Sequence, residues 1–271
     1  MQHVRVKRLG IALLLLVGSV LTIFPFLWMV STSLKPAAEI YNLSLIPDAP
    51  TLANYGRLFK QAPYFQWFLN SFLVATGTTL SVAFLDSLVG YILAKVEFRG
   101  RNLVFFLILS SIMIPTEMLI IPWYVGSVKL GITDSYLGVA FPGLITAFGI
   151  FLMRQFMAGL PNDLLDAGRM DGLGEFGLFW RIALPNVRPA LAALCIFTFL
   201  GNWNAFLWPV IVIDSPAMRT LPVGLALFSY DNFNQYELVM AGAAIAVIPV
   251  LIVFAIFQKQ IIKGITLTGL K

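Results

Sequence analysis

The sequence predicts an all-α membrane protein: six transmembrane helices, with a cytoplasmic helix-turn-helix loop between helices four and five. Three observations predict it. Of the 271 residues 59% are hydrophobic and only 11% charged, against roughly 25% charged in a soluble domain, so the chain cannot clothe a water-facing surface. Charge-free runs recur at 9–34, 61–85, 135–153, 189–213 and 238–258, and about 20 apolar residues make one crossing. The basic residues then segregate to one side of the membrane, as orientation requires.

The expected spans are 9–33, 66–94, 103–125, 135–156, 190–213 and 238–258. The first follows Arg5, Lys7 and Arg8. Its apolar run is about twice the length of a secretory signal core and no small-x-small cleavage site follows, so it reads as an uncleaved anchor. The second span carries Asp86, and the third is apolar apart from Glu117, just after Pro115. The fifth contains Asn202, Trp203, Asn204 and Trp208, with Gly201 and Ala205 as a small-residue pair; Gly242 and Ala246 form a similar pair in the sixth. With the N-terminus in the cytoplasm, 13 of the 18 Lys and Arg residues lie inside. Both termini are therefore expected there.

Several chemistries are excluded. The single histidine, His3, sits in the N-terminal tail and the single cysteine, Cys195, in an apolar run. No disulfide, His/Cys metal set or Ser-His-Asp apparatus can form from these within one fold. The net charge of +5 comes from residues scattered at helix ends, not along one face, so nucleic acid is not an expected partner. No G-x-x-x-x-G-K-[ST] phosphate loop occurs, so the chain does not bind ATP in that way.

The loop at 157–189 is unusual. It reads Leu160-Pro161-Asn162-Asp163-Leu164-Leu165-Asp166-Ala167-Gly168-Arg169-Met170-Asp171-Gly172. Pro161 suits a helix start, Asp163 and Asp166 favour its positive end, and Gly172 suits the left-handed residue that ends it. A second short helix follows, with Phe176, Phe179, Trp180 and Ile182 apolar, and it stops near Pro185 and Pro189. Two short helices without a core of their own either dock on another protein or lie on lipid. Both readings are open at this point, and the acidic residues weigh against an anionic leaflet.

This stretch resembles the E-A-A loop of membrane subunits in ATP-binding-cassette importers, whose pattern runs E-A-A-x-x-D-G with L-P further on. Asp166, Ala167, Gly168, Asp171, Gly172, Leu184 and Pro185 occupy those positions. Asp166 replaces the usual Glu and Gly168 the usual second Ala. The chain is similar over nearly its whole length to carbohydrate-type permeases, the second of the two permeases in such importers. Ser33-Leu34-Lys35-Pro36, Asn54-Tyr55, Asn70-Ser71, Phe98-Arg99-Gly100-Arg101-Asn102 and Met113-Ile114-Pro115 carry the likeness. Arg154-Gln155-Phe156, Trp203-Asn204-x-Phe206-x-Trp208-Pro209 and Thr220-Leu221-Pro222 continue it.

The resemblance implies a non-catalytic permease subunit of an ATP-driven, solute-binding-protein-dependent importer in a bacterial or archaeal inner membrane. The solute class would be a sugar, oligosaccharide or sugar-like polyol. Its partners would be a second homologous permease, a cytoplasmic ATPase dimer, an extracytoplasmic solute-binding protein and membrane lipid. ATP and Mg would be bound by the ATPase, with no cofactor on this chain. The loop residues implied in coupling are Asp163, Asp166, Ala167, Gly168, Asp171, Gly172, Phe176 and Phe179. The aromatics would meet the ATPase or pack beneath the spans, and the resemblance extends to a C-terminal tail, Lys259–Lys271, that in some relatives reaches the ATPase.

Candidate path residues follow from the cost of burying polar groups in hydrocarbon. Asp86 and Glu117 would face the path or, respectively, bond a neighbouring helix and mark a bend. Asn202 and Asn204 lie about 200° apart around a helix, so at least one points into the bundle or at another helix. Trp203 would stack on a sugar ring or serve as packing, and Trp208 is expected in the outer aromatic belt. Importers of the same class for amino acids, peptides or phosphate, and a self-sufficient secondary transporter, are the rival functions. The paired half-helix repeats of the latter are not evident.

Overall fold

The structure, a computed structural model, describes residues 2–232 and 234–268, with side chains for 10–232 and 234–258. The basic tails that orient the chain, Arg5, Lys7, Arg8 and Lys259 onwards, lie outside the described side chains. Among the described residues three helices are long and apolar enough to cross a membrane, and three bent helix pairs pass the same test together, giving up to six crossings.

The chain forms two compact units, Met1–Phe65 with Gly224–Pro249 and Gln66–Val223 with Val250–Lys271. In the first, α1 (Gln2–Ser33) is followed by an outer segment carrying α2 (Ala53–Gln61). Side chains 10–27 of α1 are all exposed. Its hydroxyls therefore turn inward: Ser19 and Thr22 donate to the Leu15 and Gly18 carbonyls at 2.8 Å, which satisfies them without water.

The outer segment closes on a buried cation. Lys35 is fully buried, with Nζ 2.6 Å from the Asn42 carbonyl and 4.8 Å from the Trp28 ring centre. Asn54 Nδ2 donates to the Ser33 and Lys35 carbonyls, each at 2.8 Å. Arg57 pairs with buried Glu237 at 3.2 Å. Tyr64 donates to the Gly242 carbonyl at 2.5 Å, and a Cβ on Gly242 would lie 2.7 Å from Leu225 Cδ1. Gly242 thus does mark a close helix contact.

The second unit is organised along α3 (Tyr64–Lys95). Around it come α4 (Arg101–Ser111), α5 (Ile120–Leu130), α6 (Tyr136–Ala140), α7 (Ala147–Ala158), α8 (Asn162–Met170), α9 (Glu175–Leu178), α10 (Leu184–Asn186), α11 (Arg188–Trp203) and α12 (Leu207–Val212). The helices α13 (Leu221–Asp231) and α14 (Tyr236–Thr268) complete the chain. Between α9 and α10 the backbone widens into a π-turn over Phe179–Ala183, just ahead of Pro185, which has no N–H to offer the preceding turn.

The sequence predicts continuous helices at 103–125, 135–156 and 190–213, and all three are broken. The chain bends by 96° between 101–111 and 116–130, where Pro115 disfavours helix at Ile114. It bends by 50° between 136–143 and 147–158, where Thr146 leaves the helix and caps α7 by accepting from the Gly149 amide at 3.0 Å. The predicted fifth span stops at Trp203, and α12 is a separate short helix.

At the N-terminal end of α3 a strap at 214–221 is tied down from three directions. Trp67 Nε1 donates to the Pro216 carbonyl at 3.1 Å, and Ser71 Oγ accepts from the Leu221 amide at 2.8 Å. Asn70 uses its whole amide: Nδ2 donates to the Ala217 and Arg219 carbonyls, while Oδ1 accepts from Gln66 and Tyr136. Asp134, held at φ 53°, accepts at Oδ1 from the Asp214 amide (3.1 Å), the Ser215 amide (3.0 Å) and the Ser215 hydroxyl (3.0 Å).

Burial pulls the Asp134 carboxyl upward, but the hydrogen bonds from Ser215 and Asp214 outweigh it and hold it below its ordinary range. A carboxyl depressed in the folded state contributes stability above its unfolded pKa and loses it as pH falls through the folded one. Acidification below about pH 4 should therefore lower the unfolding temperature of the wild type more steeply than that of Asp134→Asn. The variant keeps an acceptor and tolerates positive φ but carries no charge; equal slopes would remove Asp134 as the cause.

Candidate functional site: the loop at 157–189

α8 begins beside the C-terminal end of α3. Lys95 Nζ donates to the Leu160 carbonyl at 2.6 Å and to Asn162 Oδ1 at 2.7 Å. Pro161 stands immediately before the helix, one place earlier than the sequence suggests, and Asp163 lies in the first turn. Only Leu165 and Gly168 of α8 are buried; Asp163, Asp166, Ala167 and Met170 are exposed. A narrow inner stripe on a short helix is what a unit without its own core requires.

The turn after α8 is built as the glycine was expected to build it. Gly172 has φ +81°, its amide bonds the Arg169 carbonyl, and the Leu173 amide reaches back to Gly168, both at 3.0 Å. This pair of bonds is the Schellman arrangement, which satisfies the last carbonyls of a helix. Asp171, beside the turn, is exposed.

The second arm runs from Glu175 to Asn186 and meets α11 at 84°. Leu178, Phe179 and Ala183 are fully buried, whereas Phe176 and Trp180 are 60% and 53% exposed. Phe179 lies 5.6 Å from the Tyr91 ring and 6.4 Å from Phe84. Of the two readings open for the aromatics, Phe179 therefore takes the packing one: it anchors the loop under α3 and is covered. Phe176 and Trp180 are presented outward. A Cβ on Gly168 would run into the ends of Ile182 and Leu178, so this glycine lets the two arms approach.

One basic residue connects the arms. Arg169 donates to Asp166 at 2.7 Å and to Glu175 at 3.0 Å, and those partners, Glu175 first, raise its already high pKa. Exposed pairs of this kind add little stability; their effect is to fix side-chain direction. Asp166 is thus engaged within the loop instead of standing free at its rim.

Residues 86–267 match the family described as the binding-protein-dependent transport system inner membrane component. The chain belongs to that family. It is 40% identical over 271 residues, covering 98% of this chain and 96% of the relative, to the arabinooligosaccharides transport system permease protein AraQ of Bacillus subtilis (strain 168). It is 31% identical to the diacetylchitobiose uptake system permease protein NgcG of Streptomyces coelicolor, over 93% of this chain and 85% of the relative. The fold is shared with a chain of a bacterial ABC transporter involved in the import of the acidic polysaccharide alginate, at a TM-score of 0.84, 24% identity, and coverage of 94% of this chain and 96% of the other. The chain is a multi-pass permease subunit of a binding-protein-dependent transport system; it is not an enzyme, and ATP hydrolysis belongs to a separate ATPase.

Within this permease the candidate path residues separate. Asp86 is fully buried and its carboxylate accepts from the Thr146 hydroxyl at 2.6 Å and the Thr146 amide at 3.0 and 3.2 Å. It bonds the neighbouring broken helix. Glu117 is exposed, in the first turn after the break at 112–115. Asn202 is half-buried and Asn204 exposed, and each donates to the carbonyl four residues back, Thr198 and Leu200. Asn202 Oδ1 and Thr78 also border Gly143, 3.6 and 3.2 Å from where a Cβ would stand.

Trp203 is buried between Phe68, edge-on at 5.2 Å, and Phe199, stacked at 6.0 Å, so the ring face that a sugar would need is covered. Trp208 is half-buried: its Nε1 donates to the Gly138 and Val139 carbonyls at 3.1 Å and its ring meets Trp123 edge-on. Among the described residues of this chain the Gly201–Ala205 pair makes no close helix contact. A Cβ on Gly201 would meet nothing within 4 Å, and Ala205 lies beyond the helix end.

Sequence reasoning missed Thr146 and Tyr91. Thr146 carried a signal, an N-cap residue type three places before Gly149, but no acidic N3 residue to mark it. Asp86→Ala should leave the Thr146 amide and hydroxyl unpaired, costing ~1–3 kcal/mol and lowering the unfolding temperature in detergent. Asp86→Asn, which keeps an acceptor, should lose less; equal losses would show that charge, not acceptance, matters.

Proposed function

We propose that this chain is one permease half of an importer for a sugar or oligosaccharide, with both termini cytoplasmic and the 157–189 loop seated on a cytoplasmic ATPase dimer that binds ATP and Mg. A second, homologous permease completes the path, and an extracytoplasmic solute-binding protein delivers the solute. The solutes for which the relatives are named, arabinooligosaccharides and diacetylchitobiose, support the solute class.

The observation that carries the two-permease reading is the break at 112–115. α4 has 11 residues, so the break stands about 16 Å along the span at 1.5 Å per residue, well inside the hydrocarbon. Irregular backbone at that depth is tolerated only against protein or a water-filled cavity. Yet Met113 is 85% exposed, with Ile112, Ile114 and Glu117 exposed around it. A second chain or the solute path must cover it, and Glu117, Asn202 and Asn204 are the polar groups offered to the solute.

The ATPase reading rests on the loop. Its outward face presents Leu164, Met170, Phe176 and Trp180 together with Asp163 and Asp171, while Phe179 and Leu178 root it beneath α3. The acidic face suits a protein cleft better than an anionic leaflet.

Two experiments test this. Purifying the tagged permease in detergent should bring down a second permease and a nucleotide hydrolase; a preparation that transports alone on an ion gradient would refute the reading. Gly172→Leu forces a side chain into a left-handed conformation costing about 1–2 kcal/mol. It should insert normally but release the ATPase or uncouple it, and normal ATP-driven uptake would count against the loop assignment.

A further inference from the structure

Tyr91, one turn before the cytoplasmic end of α3, is 1% exposed, and its hydroxyl donates to Glu175 Oε2 at 2.8 Å. Glu175 opens the second arm, and its other oxygen accepts from Arg169 of the first arm at 3.0 and 3.3 Å. One carboxylate therefore joins α3 to both arms of the loop. One turn further along α3, Lys95 holds the start of α8 through Leu160 and Asn162.

The apolar contacts here, Phe179 on Tyr91 and on Phe84, are non-directional and let one surface slide over another. A hydrogen bond from a buried hydroxyl does not slide: displacement leaves the phenol unpaired in a poorly solvated place, a penalty larger than the bond's own net worth. We propose that Tyr91 and Glu175 are positioning residues that form the joint through which movement of the cytoplasmic loop is passed to α3. The span that brackets the broken helix at 144–146 and the outer strap at 214–221 then moves with the loop. This rests on the loop being the ATPase's handle.

The test uses the complete importer in vesicles, supplied with its solute-binding protein and ATP, with hydrolysis and uptake measured on one preparation. Tyr91→Phe keeps the ring on Phe179 and removes only the hydroxyl. The complex should assemble and hydrolyse ATP, while solute moved per ATP falls about tenfold, the scale of a coupling free energy between two sites. Glu175→Ala should match it, Glu175→Gln should recover part of the loss by offering an oxygen, and the Tyr91→Phe/Glu175→Ala double variant should be no worse than Glu175→Ala alone, as for one shared interaction. Fully coupled Tyr91→Phe, or hydrolysis and uptake lost together with the ATPase released, overturns the joint. Cross-linkers at Phe176 and Trp180 keep the two readings apart: a wild-type loop that captures no ATPase overturns the handle and the joint with it, whereas capture with coupled Tyr91→Phe overturns the joint alone.

Discussion

In hydrocarbon no water is present to take up a free N–H or C=O, so each interruption of a helix needs a protein partner for the groups it releases. Three of the apolar segments here are interrupted, and the long α3 supplies many of those partners from its own side chains. Ser81 donates to the Leu144 carbonyl at 2.7 Å and Asp86 receives the Thr146 amide. Asn70 and Ser71 hold the strap at 214–221, and Lys95 takes the Leu160 carbonyl. Asn70, Ser71, Ser81, Asp86 and Lys95 of α3 therefore answer irregular backbone in neighbouring segments, whereas Thr79 turns back to the Ala75 carbonyl of its own helix.

Within the second unit that arrangement sets one long unbroken helix, α3, against several jointed ones. A permease must occupy two discrete arrangements whose populations a partner shifts, and the breaks at 112–115, 144–146 and 204–206 are places where φ and ψ can change without dismantling a long helix. At 144–146 the capped end of α7 is held by Asp86, and a Cβ on Gly149 would overlap that carboxylate, so the contact is as close as the backbone allows. The strap is held at Trp67, Asn70, Ser71 and Asp134.

The sequence made much of the chain legible: the apolar segments, the two arms of the loop, the left-handed role of Gly172 and the membership implied by the D-G and L-P ends. It hid the breaks. Hydropathy averages over a window and does not register which backbone groups are paired, and only Pro115 flagged its break in advance. It also could not say which face of an apolar helix is inward, because a helix hydrophobic all round has no stripe to read. Trp203 and Trp208 were therefore assignable to a ligand or a lipid belt as readily as to packing, and Phe179 to the ATPase as readily as to α3. Residue chemistry settles none of these; neighbours do, such as Phe68 and Phe199 around Trp203.

The two departures from the family pattern in the loop have local physical reasons. Gly168 weakens α8 by about 1 kcal/mol relative to alanine, but it is buried where a methyl group would press on Ile182 and Leu178, so its absence lets the arms close to contact. Asp166 has a shorter reach than glutamate, and its partner lies within that reach: Arg169, one turn along the same helix, at 2.7 Å. Because Arg169 also holds Glu175 across the turn, the shorter acid sets the guanidinium between the arms instead of extending past them. The loop thereby exchanges some helical stability for a closer contact between its two arms.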